Sequence, residues 1–299
     1  MTSTGFVGLG HMGGAIARRL LAAGVSLVVH DRDPRAADAL VALGARAAAT
    51  PAAVADQAQV VFMCLPSVQA SREVAAALAG GSAMQVLVET STVGPSALRD
   101  LVQLMAPHGI AVVDAPVSGG PSAAAAGTLS LMHSGSQEAV AAVMPQLEAI
   151  AGKRFDVGAE PGLAQVCKLV NNAISAAGMI AACEATVLGV KAGLDAGTML
   201  AAINAGSGRN AATLDKFPRA ILPGTFDYGG PLGLMIKDLT LFIDEARAHG
   251  VSGLMAPATR DAWQQAVDRT GGDADYSMVI RHMEQDAGVE VRNKQTRGR

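Results

Sequence analysis

The stretch GFVGLGHMGGAIARRLLAAG, residues 5–24, decides how the chain is read. An apolar run ends at Gly8, glycines recur at Gly10 and Gly13, and an amphipathic segment follows with Ile16, Leu20 and Leu21 on one face. Gly8 permits a tight turn out of a strand, Gly10 lets a pyrophosphate approach the backbone, and Gly13 lets the helix pack close to the strand. The turn formed by Gly8, Leu9, Gly10, His11, Met12 and Gly13 thus opens on a helix N-terminus, whose unpaired N–H groups and partial positive charge suit phosphate. A second apolar run, SLVVHD (residues 26–31), closes on Asp31, 18 residues after Gly13. That is near the spacing of an acid that binds adenosine ribose hydroxyls. Strand, glycine turn, helix, strand and acid in this order favour a dinucleotide cradle over a glycine-rich turn beside a solvated aspartate. Asp31 favours NAD, since a carboxylate repels a 2′-phosphate, whereas the adjacent Arg32 could pair with that phosphate in NADP.

Outward from this unit, VVFMCLPS (60–67), VLVETSTVGP (86–95) and IAVVDAP (110–116) are further compact apolar runs ended by turn residues, with helical spacing between them. Continuous apolar strands alternating with helices describe a parallel sheet covered on both faces. Beyond about residue 158 the strand pattern stops. Helical patterns follow from Gly162 to about Ala192, then Ala196 to Asn204, Leu232 to His249, Ala256 to Arg269 and Tyr276 to Glu284. The first of these would run for about 45 Å. It is apolar on nearly all sides, which argues for burial, including burial against a second subunit.

Composition narrows the function classes. The 299 residues carry a formal net charge of −3, are 50% apolar and only 3% aromatic. Charges of both signs are spread along the chain up to a basic tail, RNKQTRGR, so neither a nucleic-acid footprint nor a stacking platform is evident. Cys64, Cys167 and Cys183 stand singly, which reads as buried thiols in a reduced, cytoplasmic protein. The six histidines show no metal-ligand spacing, so no metal is expected. The N-terminus enters a strand pattern directly, without an export signal. The apolar region around AISAAGMIAACEATVLGV is broken by Glu184 and reads as a buried helix rather than a membrane span.

Ligands of open α/β sheets sit at the carboxyl ends of strands. Leu65 and Pro66 end one strand, where a proline-fixed turn could run beneath a ribose. Thr90, Ser91 and Thr92 end the next, and their hydroxyls either donate to a cofactor or cap a turn. Ser118, Gly119 and Gly120, in DAPVSGGPSAAAAGTLS (114–130), offer a hydroxyl and exposed N–H groups, a nest for a carboxylate or a structural turn. In GLAQVCKLVNNAI (162–174), Lys168 and Asn172 project from one helix face about a turn apart. A lysine among Val166, Cys167, Leu169 and Val170 either snorkels, forms an ion pair or, when desolvated, exchanges a proton near neutral pH. Asn172 beside it could hold a substrate oxygen.

Taken in order, GFVGLGHMGG, MCLPS, ETSTVGP, DAPVSGGPSAAAAGTL, GLAQVCKLVNNAI and GLMIKDLTL make the chain resemble the β-hydroxyacid dehydrogenases, a family that includes 3-hydroxyisobutyrate dehydrogenase and tartronate semialdehyde reductase. The resemblance implies an α/β Rossmann-like dinucleotide-binding domain over residues 1–161. It also implies an all-helical domain, like the C-terminal domain of 6-phosphogluconate dehydrogenase, over residues 162–299, beginning with a long interdomain helix. It implies an NAD(P)-dependent oxidoreductase that moves a hydride between nicotinamide and a small 3-hydroxy acid or its semialdehyde, assembled as a homodimer or homotetramer. By the same resemblance Lys168 is the catalytic general acid and base, Asn172 orients the substrate, and Ser118, Gly119 and Gly120 hold its carboxylate. The cofactor contacts fall on Gly8 to Gly13, Leu65, Pro66, Thr92 and Lys237. Arg19 and Glu89 depart from the family's usual residues. An imine reductase on the same fold, or a non-catalytic dinucleotide-binding relative, would be expected to lack Lys168. Arg209, Lys216 and Arg219 read as solvated.

Overall fold

The computed structural model describes residues 3–293; residues 1–2 and 294–299, the latter most of the basic tail, lie outside the described residues. The chain divides into two compact units, one running to Lys168 and one from Leu169.

The first unit is built on six parallel strands: β1 (Thr4–Val7), β2 (Leu27–His30), β3 (Arg46–Ala47), β4 (Val60–Met63), β5 (Val86–Glu89) and β6 (Ala111–Asp114), in the order β3-β2-β1-β4-β5-β6. This is the doubly wound order of dinucleotide-binding sheets. Side chains of a strand alternate between faces, and both faces are covered. Phe6, Val29, Phe62 and Val88 enter one core, with α1 (His11–Ala22) and α7 (Gln137–Ile150) against it. Val7, Val28, Val61, Met63 and Leu87 enter another, with α3 (Pro51–Ala55), α4 (Val68–Leu78) and α5 (Pro95–Met105). Helix α2 (Pro34–Val41) starts on an Asp33 cap and contributes Ala37 and Leu40 to the first core.

A smaller mixed sheet was not foreseen from the sequence. It joins β7 (Val117–Ser118), β8 (Leu129–His133) and β9 (Ala151–Asp156), with β7 and β8 antiparallel and separated by α6 (Gly120–Ala126). Strand β9 is exposed along most of its length, AGKRFD, so it lacks the apolar run that marks the other strands.

Helix α8 (Leu163–Lys191) begins in the first unit and continues into the second. The second unit adds α9 (Ala196–Ala205), a π-helix (Ala212–Ile221), α10 (Gly233–Ala248), α11 (Met255–Thr270), a 3₁₀ turn (Tyr276–Ile280) and α12 (Arg281–Ala287). Its core gathers Met179, Cys183, Phe217, Leu232, Trp263 and Tyr276. The Trp263 indole donates to the Ala176 carbonyl at 3.4 Å and its ring lies 4.8 Å from that of Tyr276. By length and composition α8 could cross a membrane, but it is a core helix of this fold, with Ala176, Met179, Ile180, Cys183 and Val187 packed inside. Within the single chain, Ile174 and Leu188 on this helix are 71% and 70% exposed. Of the three thiols only Cys183 is buried; Cys64 and Cys167 are half-buried.

Candidate active site

Because β1, β2, β4 and β5 are parallel, the segments that leave them gather at one edge of the sheet. Gly8 follows β1 with φ of +93°, and a Cβ there would stand 2.3 Å from the Cys64 carbonyl oxygen. A Cβ on Gly13 would stand 2.0 Å from the Gly8 oxygen, so that glycine lets α1 approach the turn. Gly10 differs, since a Cβ there would meet nothing within 4 Å beyond its own chain neighbours. It caps α1 without a side-chain hydrogen bond, and no acidic residue occupies the first turn. The result is a helix N-terminus with open space against its backbone, which fits a pyrophosphate. Leu9 is buried, Met12 half-buried, and Gly10 and His11 are exposed.

Asp31 is tied to this turn. It accepts the Leu9 N–H at 2.6 Å through one oxygen and the Asp33 N–H at 2.9 Å through the other. The acid at the end of β2 therefore braces the glycine turn while remaining half-buried, with Arg32 exposed beside it. The residues present fit a dinucleotide.

At the ends of β4 and β5, the Ser91 hydroxyl accepts the Leu65 N–H at 2.7 Å and the Thr90 hydroxyl donates to the Met63 carbonyl at 2.6 Å. Of the three hydroxyls considered as cofactor donors, these two hold the turns in place. Thr92 and Leu65 are half-buried and Pro66 is exposed. Beneath them Glu89 is fully buried and accepts the Ser91 N–H at 2.8 Å. Desolvation pushes its carboxyl up to about 7, opposed by Ser91 and Ser71 and assisted by Asp114, its neighbour in register on β6.

The first turn of α8 is clamped by residues far away in sequence. Asp114 accepts the N–H groups of Gly162 at 3.0 Å and Gln165 at 2.9 Å, and the Ser134 hydroxyl accepts that of Ala164 at 3.2 Å. These are donors that the helix itself leaves unpaired. Gln165 returns the arrangement: its side-chain oxygen accepts the Val93 and Gly94 N–H groups at the start of α5, at 2.9 and 3.0 Å. Its amide donates to the Ser91 carbonyl at 3.1 Å and to Asp114 at 2.7 Å. Burial raises the Asp114 carboxyl to about 6, against the pull of these donors. Lys168, three residues on, is 7% exposed. Ser118 is half-buried in β7, and Gly119 and Gly120 follow with φ of +131° and +73°, a conformation that only glycine enters readily.

In the second unit Asn172 lies on the next turn of α8. Its Nδ2 donates to Asp238 at 2.6 Å, and its Oδ1 accepts from Asn171 at 3.0 Å. Asp238 is 4% exposed and also faces the Lys237 ammonium at 3.3 Å. Lys237 and Asn172 thus converge on one buried carboxylate. Asp114 and Gln165 carry no signal in the sequence, each being an ordinary polar residue in an apolar setting. Their importance comes from partners supplied by remote elements.

Residues 3–158 match the family model described as the NAD binding domain of 6-phosphogluconate dehydrogenase, and residues 162–283 match that described as NAD-binding of NADP-dependent 3-hydroxyisobutyrate dehydrogenase. The chain belongs to the β-hydroxyacid dehydrogenase family. It is 34% identical over 291 residues to 2-(hydroxymethyl)glutarate dehydrogenase of Eubacterium barkeri, covering 96% of both chains. To NAD-dependent L-serine dehydrogenase of Pseudomonas aeruginosa it is 35% identical over 292 residues, or 93% of this chain and 97% of that one. The solved Mycobacterium tuberculosis 3-hydroxyisobutyrate dehydrogenase with L-serine superposes with a TM-score of 0.85 at 31% identity, over 95% of this chain and 99% of that one. The protein is accordingly an NAD(P)-dependent hydroxyacid dehydrogenase with a Rossmann-like unit followed by a helical one.

Proposed function

We propose that this dehydrogenase oxidises a small 3-hydroxy acid, and reduces the matching semialdehyde, with Lys168 as general base and acid. The observation that carries the reading is the burial of Lys168, 7% exposed, one turn after a helix start fixed by Asp114, Ser134 and Gln165. An amine held on a clamped helix exchanges its proton from a fixed position, which is what general acid–base catalysis requires.

In this reading the Ser118 hydroxyl and the Gly119 and Gly120 amides bind the substrate carboxylate. Asn172, its amide oriented by Asp238, holds the oxygen that reacts. Lys168 Nζ takes the hydroxyl proton during oxidation and returns it to the oxygen during reduction. The Gly8–Gly13 turn and Asp31 hold the pyrophosphate and adenosine ribose, Leu65, Pro66 and Thr92 wall the cofactor, and Lys237 contributes from the helical unit. Bound nicotinamide supplies hydride acceptance and donation at C4 of its ring. The Asp31 carboxylate favours NAD over NADP by charge. The exposed Ile174 and Leu188 of α8 suit a subunit surface in a homodimer or homotetramer, and three thiols suit the cytoplasm.

Relatives named for a hydroxymethyl diacid and for L-serine share the reacting CH₂–OH and differ in the rest of the molecule. The test is therefore a panel: 3-hydroxyisobutyrate, glycerate, threonate and 4-hydroxybutyrate, each with NAD and with NADP, followed by absorbance of the reduced cofactor. Turnover of one or more 3-hydroxy acids, faster with NAD and without 4-hydroxybutyrate, is expected. Absence of turnover with every 3-hydroxy acid would overturn the reading.

A further inference from the structure

The π-helix carries a lysine that the reaction above does not use. In sequence Lys216 reads as solvated; in the structure it is 8% exposed. Its ammonium stands 5.4 Å from the centroid of the Tyr228 ring and 5.8 Å from that of Tyr276. Pro218, two residues on, lies inside the helix and cannot donate to it, in keeping with the irregular winding.

No carboxylate among the described residues reaches ion-pair distance of this ammonium. Asp215 instead accepts the Tyr228 hydroxyl at 2.7 Å and faces Arg219 at 3.4 Å. Asp275 is occupied by the N–H groups of Tyr228 at 3.2 Å, Gly229 at 2.7 Å and Ser277 at 2.8 Å. Burial lowers the lysine's pKa, and Asp215 pulls it back only in part. A cation taken out of water is costly unless something pairs with it, and two ring faces replace only part of its hydration.

The neighbours of Lys216 connect it to α8. The Tyr276 hydroxyl beside it is buried without a geometrically formed hydrogen bond, and the Ser175 side chain comes close enough to it to influence its ionisation. Ser175 is three residues beyond Asn172 on α8, hence on the same side of the helix about 4.5 Å along it. Lys216 against the Tyr276 ring, Tyr276 beside Ser175, and Ser175 one helical turn from Asn172 are successive neighbours within the helical unit.

We propose that Lys216 binds a second carboxylate, carried on a side arm of the substrate, so that the preferred substrates are 3-hydroxy acids with two carboxylates. The proposal rests on the reading of Asn172 as the residue that holds the reacting oxygen. One ammonium with Asp215 nearby suits a monoanionic carboxylate better than a phosphate dianion.

The experiment compares kcat/KM for 2-(hydroxymethyl)succinate with 2-(hydroxymethyl)butanoate, and for their homologues one methylene longer, in wild type, Lys216→Met and Lys216→Arg. The wild-type diacid-to-monoacid ratio is expected to exceed unity. It should fall at least about tenfold in Lys216→Met, as expected when one partner of a buried charge pair is removed, and recover in part in Lys216→Arg. A ratio unchanged by Lys216→Met overturns the proposal. Calorimetry of succinate and butyrate binding to the cofactor-saturated proteins, with Lys216→Gln as a second neutral variant, decides the matter independently of turnover. Preference for succinate in wild type alone supports the site; equal binding to all proteins removes it. If no hydroxy acid is oxidised but succinate still depends on Lys216, the function reading fails and the anion site stands.

Discussion

The side chains of Asp114 and Gln165 meet at 2.7 Å, and the same carboxylate takes the Gln165 backbone N–H at 2.9 Å. One acid at the end of β6 thus fixes both the start of α8 and the side chain that caps α5. Asp114→Asn substitutes an amide that can accept at only one atom and presents N–H groups to other donors. Loss of about 2–4 kcal/mol in a urea titration is expected, together with lower turnover because Lys168 rides on the same helix. Unchanged stability would contradict the clamp.

Glu89 and Asp114 set a pH dependence whose sign follows from their burial. Folded Glu89 holds its proton up to about 7 rather than 4.5, and Asp114 up to about 6 rather than 3.8. Over these ranges the folded state binds more protons than the unfolded one, so stability from these groups is full below their unfolded values and is lost as pH rises through the folded ones. Melting temperature should fall from pH 5 to pH 8. Glu89→Gln keeps an oxygen for the Ser91 N–H and should flatten part of that slope, gaining on the order of 1–3 kcal/mol over wild type at pH 8. Parallel profiles for the two proteins would refute the assignment.

Gly10 and Gly13 make opposite demands. Gly13→Ala forces a Cβ against the Gly8 oxygen and should lower stability by more than about 2 kcal/mol, read as a drop in melting temperature. Gly10→Ala meets no protein atom, and its φ of −61° suits alanine. It should melt like wild type while binding NAD roughly tenfold or more weakly, as a methyl group enters the phosphate space. Normal NAD affinity in Gly10→Ala would place the pyrophosphate elsewhere.

Asp238 joins Asn172 to Lys237, at 2.6 and 3.3 Å. Asp238→Asn should reduce kcat/KM by roughly 10–100-fold, because a buried charge partner is lost and the Asn172 amide is freed. In combination with Asn172→Ala the effects should be far from additive, since the two substitutions remove one interaction. Additive losses would mean that Asp238 acts on something other than Asn172.

The sequence made the doubly wound unit legible because its main strands are short, largely apolar and ended by turn residues, and because the glycines of the first turn are spaced for a phosphate. Helices α8 to α11 were legible from length and composition. The small sheet was not, since β9 is exposed and carries charges, and β7 has only two residues. The π-helix escaped notice because Pro218 interrupts its pattern. At the site, Lys168 and Asn172 stood out as polar residues one turn apart in an apolar helix. Asp114, Gln165 and Asp238 did not, as their roles depend on contacts spanning 48 to 74 residues of sequence. The burial of Lys216 is not legible, because an isolated lysine beside Asp215 gives no sign that two tyrosines, twelve and sixty residues later in the chain, will lie against it.

The central claim is that Lys168 carries the proton. Its most direct test is Lys168→Ala, with steady-state turnover of the best 3-hydroxy acid and the NAD dissociation constant measured on the same preparation. Turnover should fall about 10²–10⁴-fold, with NAD affinity within about twofold of wild type and partial rescue by added methylamine. Turnover close to wild type, or a loss confined to NAD affinity, would contradict the account.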